Sequence, residues 1–183
     1  MLKRLVKKIL GKKLLLTYHL SLAKLAAFYY GHPADKLIVI GVTGTNGKTT
    51  AVNFVSQYLD HLGQKNGLAS TVNFKVAEQQ WLNDKKMTML GRFQTQQLLS
   101  KMVKAGWRYA VIETSSQGVE QFRHIGINYD LVIFTNLTPE HIEAHGSFEN
   151  YRSYKEKLFE HLSDSKQKVL DNKKIKKIIV TNN

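Results

Sequence analysis

Lys48 and Thr49 directly follow Gly47 in the run VIGVTGTNGKTT, Val39 to Thr50. A lysine and a hydroxyl placed after a glycine, where a helix begins, suit a phosphate group. Unpaired backbone N–H groups and the helix dipole favour the anion. The lysine neutralises β- and γ-phosphate charge, and the hydroxyl sits on Mg2+. The common form of such a loop is G-x-x-x-x-G-K-[ST]. Here the position five before Gly47 is Val42, and the nearby glycines are Gly41 and Gly44. The run reads as a phosphate loop of unusual spacing; the alternative is a tight strand-to-helix turn with its lysine in solvent.

Glu113 ends the apolar run YAVIE, so its carboxylate emerges at the carboxyl end of a strand, where open α/β sheets bind ligands. There it suits a magnesium ligand or a group that orients water; a strand-ending glutamate on its own is commonly solvated. The segment TNLTPEHIEAHGS gathers Asn136, Glu140, His141, Glu143 and His145 after another strand. Histidines with carboxylates can hold a transition metal, but the chain has no Cys and no H-E-x-x-H, which argues against a zinc protease. Each histidine alone reads as a surface or packing residue. Together, beside a phosphate loop, they read as a site.

The elements that must position these groups are visible as patterns. KLIVIGVT is a β-branched run stopped by glycine, a buried strand. KTTAVNFVSQYLDHLG places Val52, Phe54, Val55, Tyr58, Leu59 and Leu62 on roughly one face and ends at Gly63, a helix with a glycine stop. NGLASTVNFKV and QQWLN read as strands joined by a polar turn, and QTQQLLSKMVKAG as a second helix. RYAVIE and DLVIFTN are further strands, SFENYRSYKEKLFEHL a helix begun by Ser147, and KKIIVTN a last strand. Strands alternating with helices predict an α/β fold with a mostly parallel sheet flanked by helices.

The 183 residues suit one medium domain with a real core, alone or with an appendage. Lys plus Arg outnumber Asp plus Glu by 27 to 14, a formal charge of +13 that favours nucleotides, nucleic acid or an anionic membrane as partners. No aromatic-basic RNA motif or recognition-helix signature is present, so no specific nucleic-acid partner is expected. Without cysteine, neither a disulfide framework nor a thiolate metal site can form, and a reducing cytoplasm is permitted. Two prolines and 43% apolar residues argue against disorder. Leu2, Leu5, Val6, Ile9 and Leu10 recur at helical spacing opposite lysines, while His19 and Lys24 interrupt the apolar run and argue against a spanning helix. This is the pattern of an amphipathic helix lying on anionic lipid or on a protein surface, or packed on its own domain with a basic face in solvent.

GVTGTNGKTT, VIETSS and FTNLTPEHIEAHGSFENYRSYKEKLF, in that order over about Leu37 to Phe159, resemble the central ATP-binding domain of the Mur ligases. These are ATP-dependent amide-forming enzymes of peptidoglycan precursor synthesis, and the UDP-N-acetylmuramoyl-tripeptide synthetase branch is the nearest. In that family the loop reads T-G-T-N-G-K-[ST], so the unusual spacing is a family signature. The resemblance implies a P-loop NTPase-like central domain over residues 35–183, preceded by the basic helical segment 1–34, working in the cytoplasm with ATP and Mg2+. It implies that a substrate carboxylate attacks the γ-phosphate to give an acyl phosphate, from which the amine of an amino acid displaces phosphate. Position by position, it implies that Gly44, Thr45, Asn46 and Gly47 wrap the phosphates with Lys48, Thr49, Thr50 and Asn136. Thr49 and Glu113 would hold one magnesium, and His141 and Lys155, the latter as a carbamate, a second. Ser115, Ser116 and His145 would face the substrate.

Four departures accompany the resemblance. Lys48 comes early in the chain, so the family's uridine-binding domain is expected to be missing, with the basic helix in its place. Where the branch has T-T-P the chain reads MTMLGRF, which bears on recognition of a muramoyl-peptide. The family's Asp-His pair is Glu140–His141, and its serine motif continues as Gln117–Gly118 rather than His-Ala. The chain ends at VTNN, so a separate C-terminal ligase domain is expected as partner, and weak ATP binding from this chain by itself. A fragment of a related folylpolyglutamate- or cyanophycin-type ligase, and a non-catalytic nucleotide-binding or assembly module, are the alternatives.

Overall fold

The protein is seen in a computed structural model that describes residues 11–76, 79–84, 87–140 and 142–182. The strands of its main sheet are β1 (Ile38–Thr43), β2 (Asn66–Ala69), β3 (Asn73–Val76), β4 (Gln79–Leu82), β5 (Tyr109–Glu113), β6 (Leu131–Phe134) and β9 (Ile178–Thr181). They lie in the order β4-β3-β2-β5-β1-β6-β9. Strands β2, β5, β1, β6 and β9 run parallel, and β3 and β4 extend one edge antiparallel. The short hairpin β7 (Val169–Leu170) and β8 (Lys173–Lys174) stands apart. Helices are α1 (Lys12–Tyr29), α2 (Lys48–His61), α3 (Arg92–Lys104), α4 (Ser116–Glu120), α5 (Ile142–His145) and α6 (Phe148–Asp164).

The central strand β1 is apolar on both faces, as a covered parallel sheet requires. Ile40 and Val42 pack with Val52 and Leu59 of α2, while Val39 packs with Leu99 of α3 and Leu158 of α6. The expected single strand NGLASTVNFKV is two strands. Ser70 Oγ accepts from the N–H groups of Val72 and Asn73 at 3.2 and 3.0 Å, which turns the chain between them. At the end of the sheet opposite the loop, Asp130 Oδ2 accepts from Val39 N at 2.9 Å and from Lys168 Nζ at 2.5 Å, tying the hairpin segment to β1.

The apolar face expected over Leu2 to Leu10 lies outside the described residues. Beyond it, α1 docks through Ala23, Ala26 and Ala27, all buried, while Leu14, Tyr18, Leu25, Phe28 and Tyr29 stay exposed. The close approach needs Gly126, whose φ is +83° and whose Cβ, if present, would lie 2.7 Å from that of Ala27. Among the described residues, no helix is long and apolar enough to cross a membrane.

Candidate active site

The loop between β1 and α2 is built on two glycines that only glycine can satisfy. Gly44 has φ +149°, and a Cβ there would fall 1.9 Å from Thr135 Oγ1. Gly47, at φ +77°, opens α2 without a side chain to cap its first N–H groups. The segment after β6 braces the loop from the side. Thr45 N donates to Asn136 O and Asn46 N to Asn136 Oδ1, both at 2.9 Å. Thr135 Oγ1 donates to Asn46 O at 2.6 Å, Asn46 Nδ2 to Glu140 Oε1 at 2.9 Å, and Thr138 N to Thr45 Oγ1 at 3.0 Å. Asn136 thus holds the loop's backbone, and Thr50 points outward from the start of α2.

Two ammonium groups meet the loop's own carbonyls. Lys48 Nζ donates to Thr45 O at 2.7 Å, and Lys155 Nζ, from α6, donates to Gly44 O at 2.8 Å. Burial holds the Lys48 ammonium below its usual range, against the opposing pull of Glu113 and Glu140. Lys155 is 3% exposed, and burial, aided by the charge of Lys48, brings it down to about 7. Its Nζ lies 4.5 Å from the centroid of the Tyr151 ring, and Tyr151 OH donates to Thr45 Oγ1 at 2.9 Å. Sequence reading missed Tyr151. Its signal was the i, i+4 spacing to Lys155, which puts both on one helix face.

Glu113 is 2% exposed, which removes the solvated alternative. Its Oε2 accepts from Thr49 Oγ1 at 3.0 Å and from Thr71 N at 2.7 Å. A carboxylate and a hydroxyl that meet beside this glycine loop are hard oxygen donors of the kind Mg2+ takes. Among the described residues no three His, Cys, Asp or Glu side chains converge as a metal cluster, and His141 lies outside them. Glu143 is exposed.

The serines sit at the start of α4. Ser115 caps the helix, its Oγ accepting from Gly118 N at 3.1 Å. Ser116 Oγ lies 3.0 Å from His145 Nε2, and both residues are 7% exposed, so the structure brings these two together away from solvent. A Cβ on Gly118 would fall 2.5 Å from Met89 Sδ. Met89 of MTMLGRF thus occupies the space that a side chain at position 118 would need.

Residues 42–182 match the Mur ligase middle domain. The UDP-N-acetylmuramyl-tripeptide synthetase of Roseiflexus sp. (strain RS-1) is 42% identical over 146 residues, which are 79% of this chain and 29% of that protein. The chain therefore spans less than a third of that relative. A solved UDP-N-acetylmuramoyl-L-alanyl-D-glutamate–2,6-diaminopimelate ligase is similar at TM-score 0.60 and 32% identity, over 68% of this chain and 24% of that one. E. coli FolC, solved in complex with DHPP and ADP, shares the fold alone, at TM-score 0.54 and 18% identity over 70% of this chain and 36% of its own. The glycine loop, the buried Glu113 and Lys155, and a match over most of the chain agree: this protein belongs to the Mur ligase middle-domain family.

Proposed function

We propose that the chain is the ATP-binding portion of an ATP-dependent carboxylate–amine ligase of the Mur type, acting in the cytoplasm on a peptidoglycan precursor. The observation that carries this reading is the convergence of Lys48, Thr49, Glu113 and Lys155 on one glycine loop. In the proposed reaction a substrate carboxylate oxygen forms a bond to the γ-phosphorus and ADP leaves; the amine of an amino acid then attacks the acyl carbon and phosphate leaves. Lys48 exchanges Thr45 O for phosphate oxygens and neutralises their charge, and the first N–H groups of α2 and the loop orient the phosphates, so that positioning and charge do most of the work.

Thr49 and Glu113 are the residues that would hold Mg2+, and His141 and a carbamylated Lys155 are the ligands the family resemblance implies for a second ion. Bound magnesium would supply neutralisation of phosphate charge. With Lys155 brought down to about 7 by burial, a share of its side chain is the neutral amine near pH 7, and that amine is competent to attack CO2: its nitrogen bonds the carbon and the displaced proton goes to solvent, leaving the carbamate anion. In this reading residues 35–183 are the nucleotide domain, residues 1–34 a basic helical segment with a docking or membrane-surface role, and a separate C-terminal ligase domain presents the amino acid.

Titration calorimetry with MgATP tests the reading. The chain binds MgATP, and Lys48→Ala weakens binding by about tenfold or more, the loss expected for a charged hydrogen bond. With 13C-bicarbonate, the chain gives a carbamate carbon signal that Lys155→Gln abolishes. Equal MgATP affinity in the Lys48 variant would refute the assigned role.

A further inference from the structure

Beyond the loop, a line of buried contacts runs from the end of α4 back to the phosphate-binding residues. His145 Nδ1 lies 3.5 Å from Glu120 Oε2, at ion-pair reach, and the imidazole is 0% exposed against 31% for the Glu120 side chain. His145 Nε2 lies 3.0 Å from Ser116 Oγ. The imidazole packs with the rings of Tyr151 and Tyr154, at centroid distances of 5.5 and 5.3 Å and interplanar angles of 32° and 43°. Tyr154 OH donates to the other Glu120 oxygen at 3.3 Å, and His145 O accepts from Asn150 Nδ2 at 3.0 Å. The next contacts are those already described, from Tyr151 to the Thr45 hydroxyl and beneath the Lys155 ammonium.

Chemistry gives this line a direction. A carboxylate can only accept, so the charge of Glu120, 3.5 Å from Nδ1 and too far for a hydrogen bond, favours the imidazole proton on that nitrogen, with Nε2 accepting from the Ser116 hydroxyl. The Ser116 contact at 3.0 Å and the Glu120 charge together set which way the ring lies. A ring fixed in that way is a rigid wall for Tyr151.

We propose that Glu120 is a positioning residue: acting through His145, it fixes the Tyr151 ring that orients the Thr45 hydroxyl and the Lys155 side chain, and it couples the turn Ser115–Glu120 to the phosphate loop. The proposal rests on the reading of that loop as a nucleotide site. Ser116 and His145 serve here to hold the site together.

The test uses the full chain, with Glu120→Gln as a near-isosteric variant that removes the obligate acceptor. Three readouts are taken: long-range 1H–15N spectra of the His145 ring, the Thr45 methyl resonance, and MgADP affinity by calorimetry. The wild type shows a single Nδ1–H tautomer. In Glu120→Gln the tautomer mixes, the Thr45 methyl shifts, and MgADP binding weakens about three- to tenfold, the range of coupling carried by residues that do not touch ligand. Tyr151→Phe gives the same loss of affinity while the His145 tautomer is kept, which places Tyr151 downstream. An unchanged tautomer in Glu120→Gln overturns the proposal, as does a changed tautomer with Thr45 and MgADP affinity as in wild type. If the wild type binds no MgADP, the nucleotide reading fails and the Thr45 methyl alone decides whether Glu120 acts on the loop.

Discussion

Acid should loosen the layer on which Lys155 stands, and His124 sets the amount. His124 is 5% exposed, lies 4.9 Å edge-on from His161, and stacks against Phe122 at 6.4 Å. His161 belongs to α6, the helix that carries Lys155, and its Nε2 lies 2.9 Å from Ile127 O. Burial pushes His124 down from 6.5 to about 3, with the charges of His161 and Lys157 adding to it, and burial also lowers His161. The folded state therefore binds fewer protons than the unfolded chain between about pH 6.5 and 3. The stability tied to His124 is fully present above that window and is lost as pH falls through it. At about 1.4 kcal/mol per pH unit below 6.5, moving from pH 7 to pH 5 costs about 2 kcal/mol through His124 alone, and His161 adds in the same direction. Urea unfolding followed by circular dichroism at both pH values measures the loss. His124→Gln removes the titrating group, so its drop in stability between the two pH values should be smaller than that of wild type by about 2 kcal/mol. Equal drops in the two proteins would show that His124 is not held neutral in the fold.

Two further substitutions probe the loop and its neighbours. Gly44→Ala forces a Cβ to within 1.9 Å of Thr135 Oγ1 at a φ of +149°, so it should cost about 1–3 kcal/mol in urea unfolding and abolish MgATP binding; retained binding would mean that the loop rearranges freely. Gly118→Ala should cost about 1–3 kcal/mol by overpacking Met89, and Met89→Ala should recover part of it. A double-mutant cycle checks this, and strict additivity would remove the link between the two departures from the family pattern.

The parts of this protein legible in sequence are those with strong local signals. β1, the loop and α2 announce themselves through a β-branched run, G-K-T and a helical apolar face, and the helix from Ser147 begins at a real cap, with Asn150 N donating to Ser147 Oγ at 3.1 Å. The break at Ser70 was hidden because the turn over residues 70–72 holds neither glycine nor proline and is closed by the Ser70 side chain. Helix α4 and the hairpin β7–β8 are too short to show a period; tertiary contacts hold them. The docking face of α1 was missed because it is made of Ala23, Ala26 and Ala27, which carry little apolar weight. In the site, Lys48, Thr49 and Glu113 were readable from position alone. The Ser116–His145–Glu120 line was not, since Ser116 and His145 are 29 apart in sequence and the line depends on how α4 meets the end of α5.

The bracing of the loop has a consequence in entropy. Gly44 O, Thr45 N, Asn46 N and the Thr45 hydroxyl are all engaged by residues from the segment after β6 and from α6 before any ligand arrives. Ordering a free glycine-rich segment would cost on the order of 1–2 kcal/mol per residue at the moment of binding. Here that cost is met during folding, so on the proposed reading a nucleotide would meet a preorganised cradle and would have chiefly to draw the Lys48 ammonium from one carbonyl to its own phosphates.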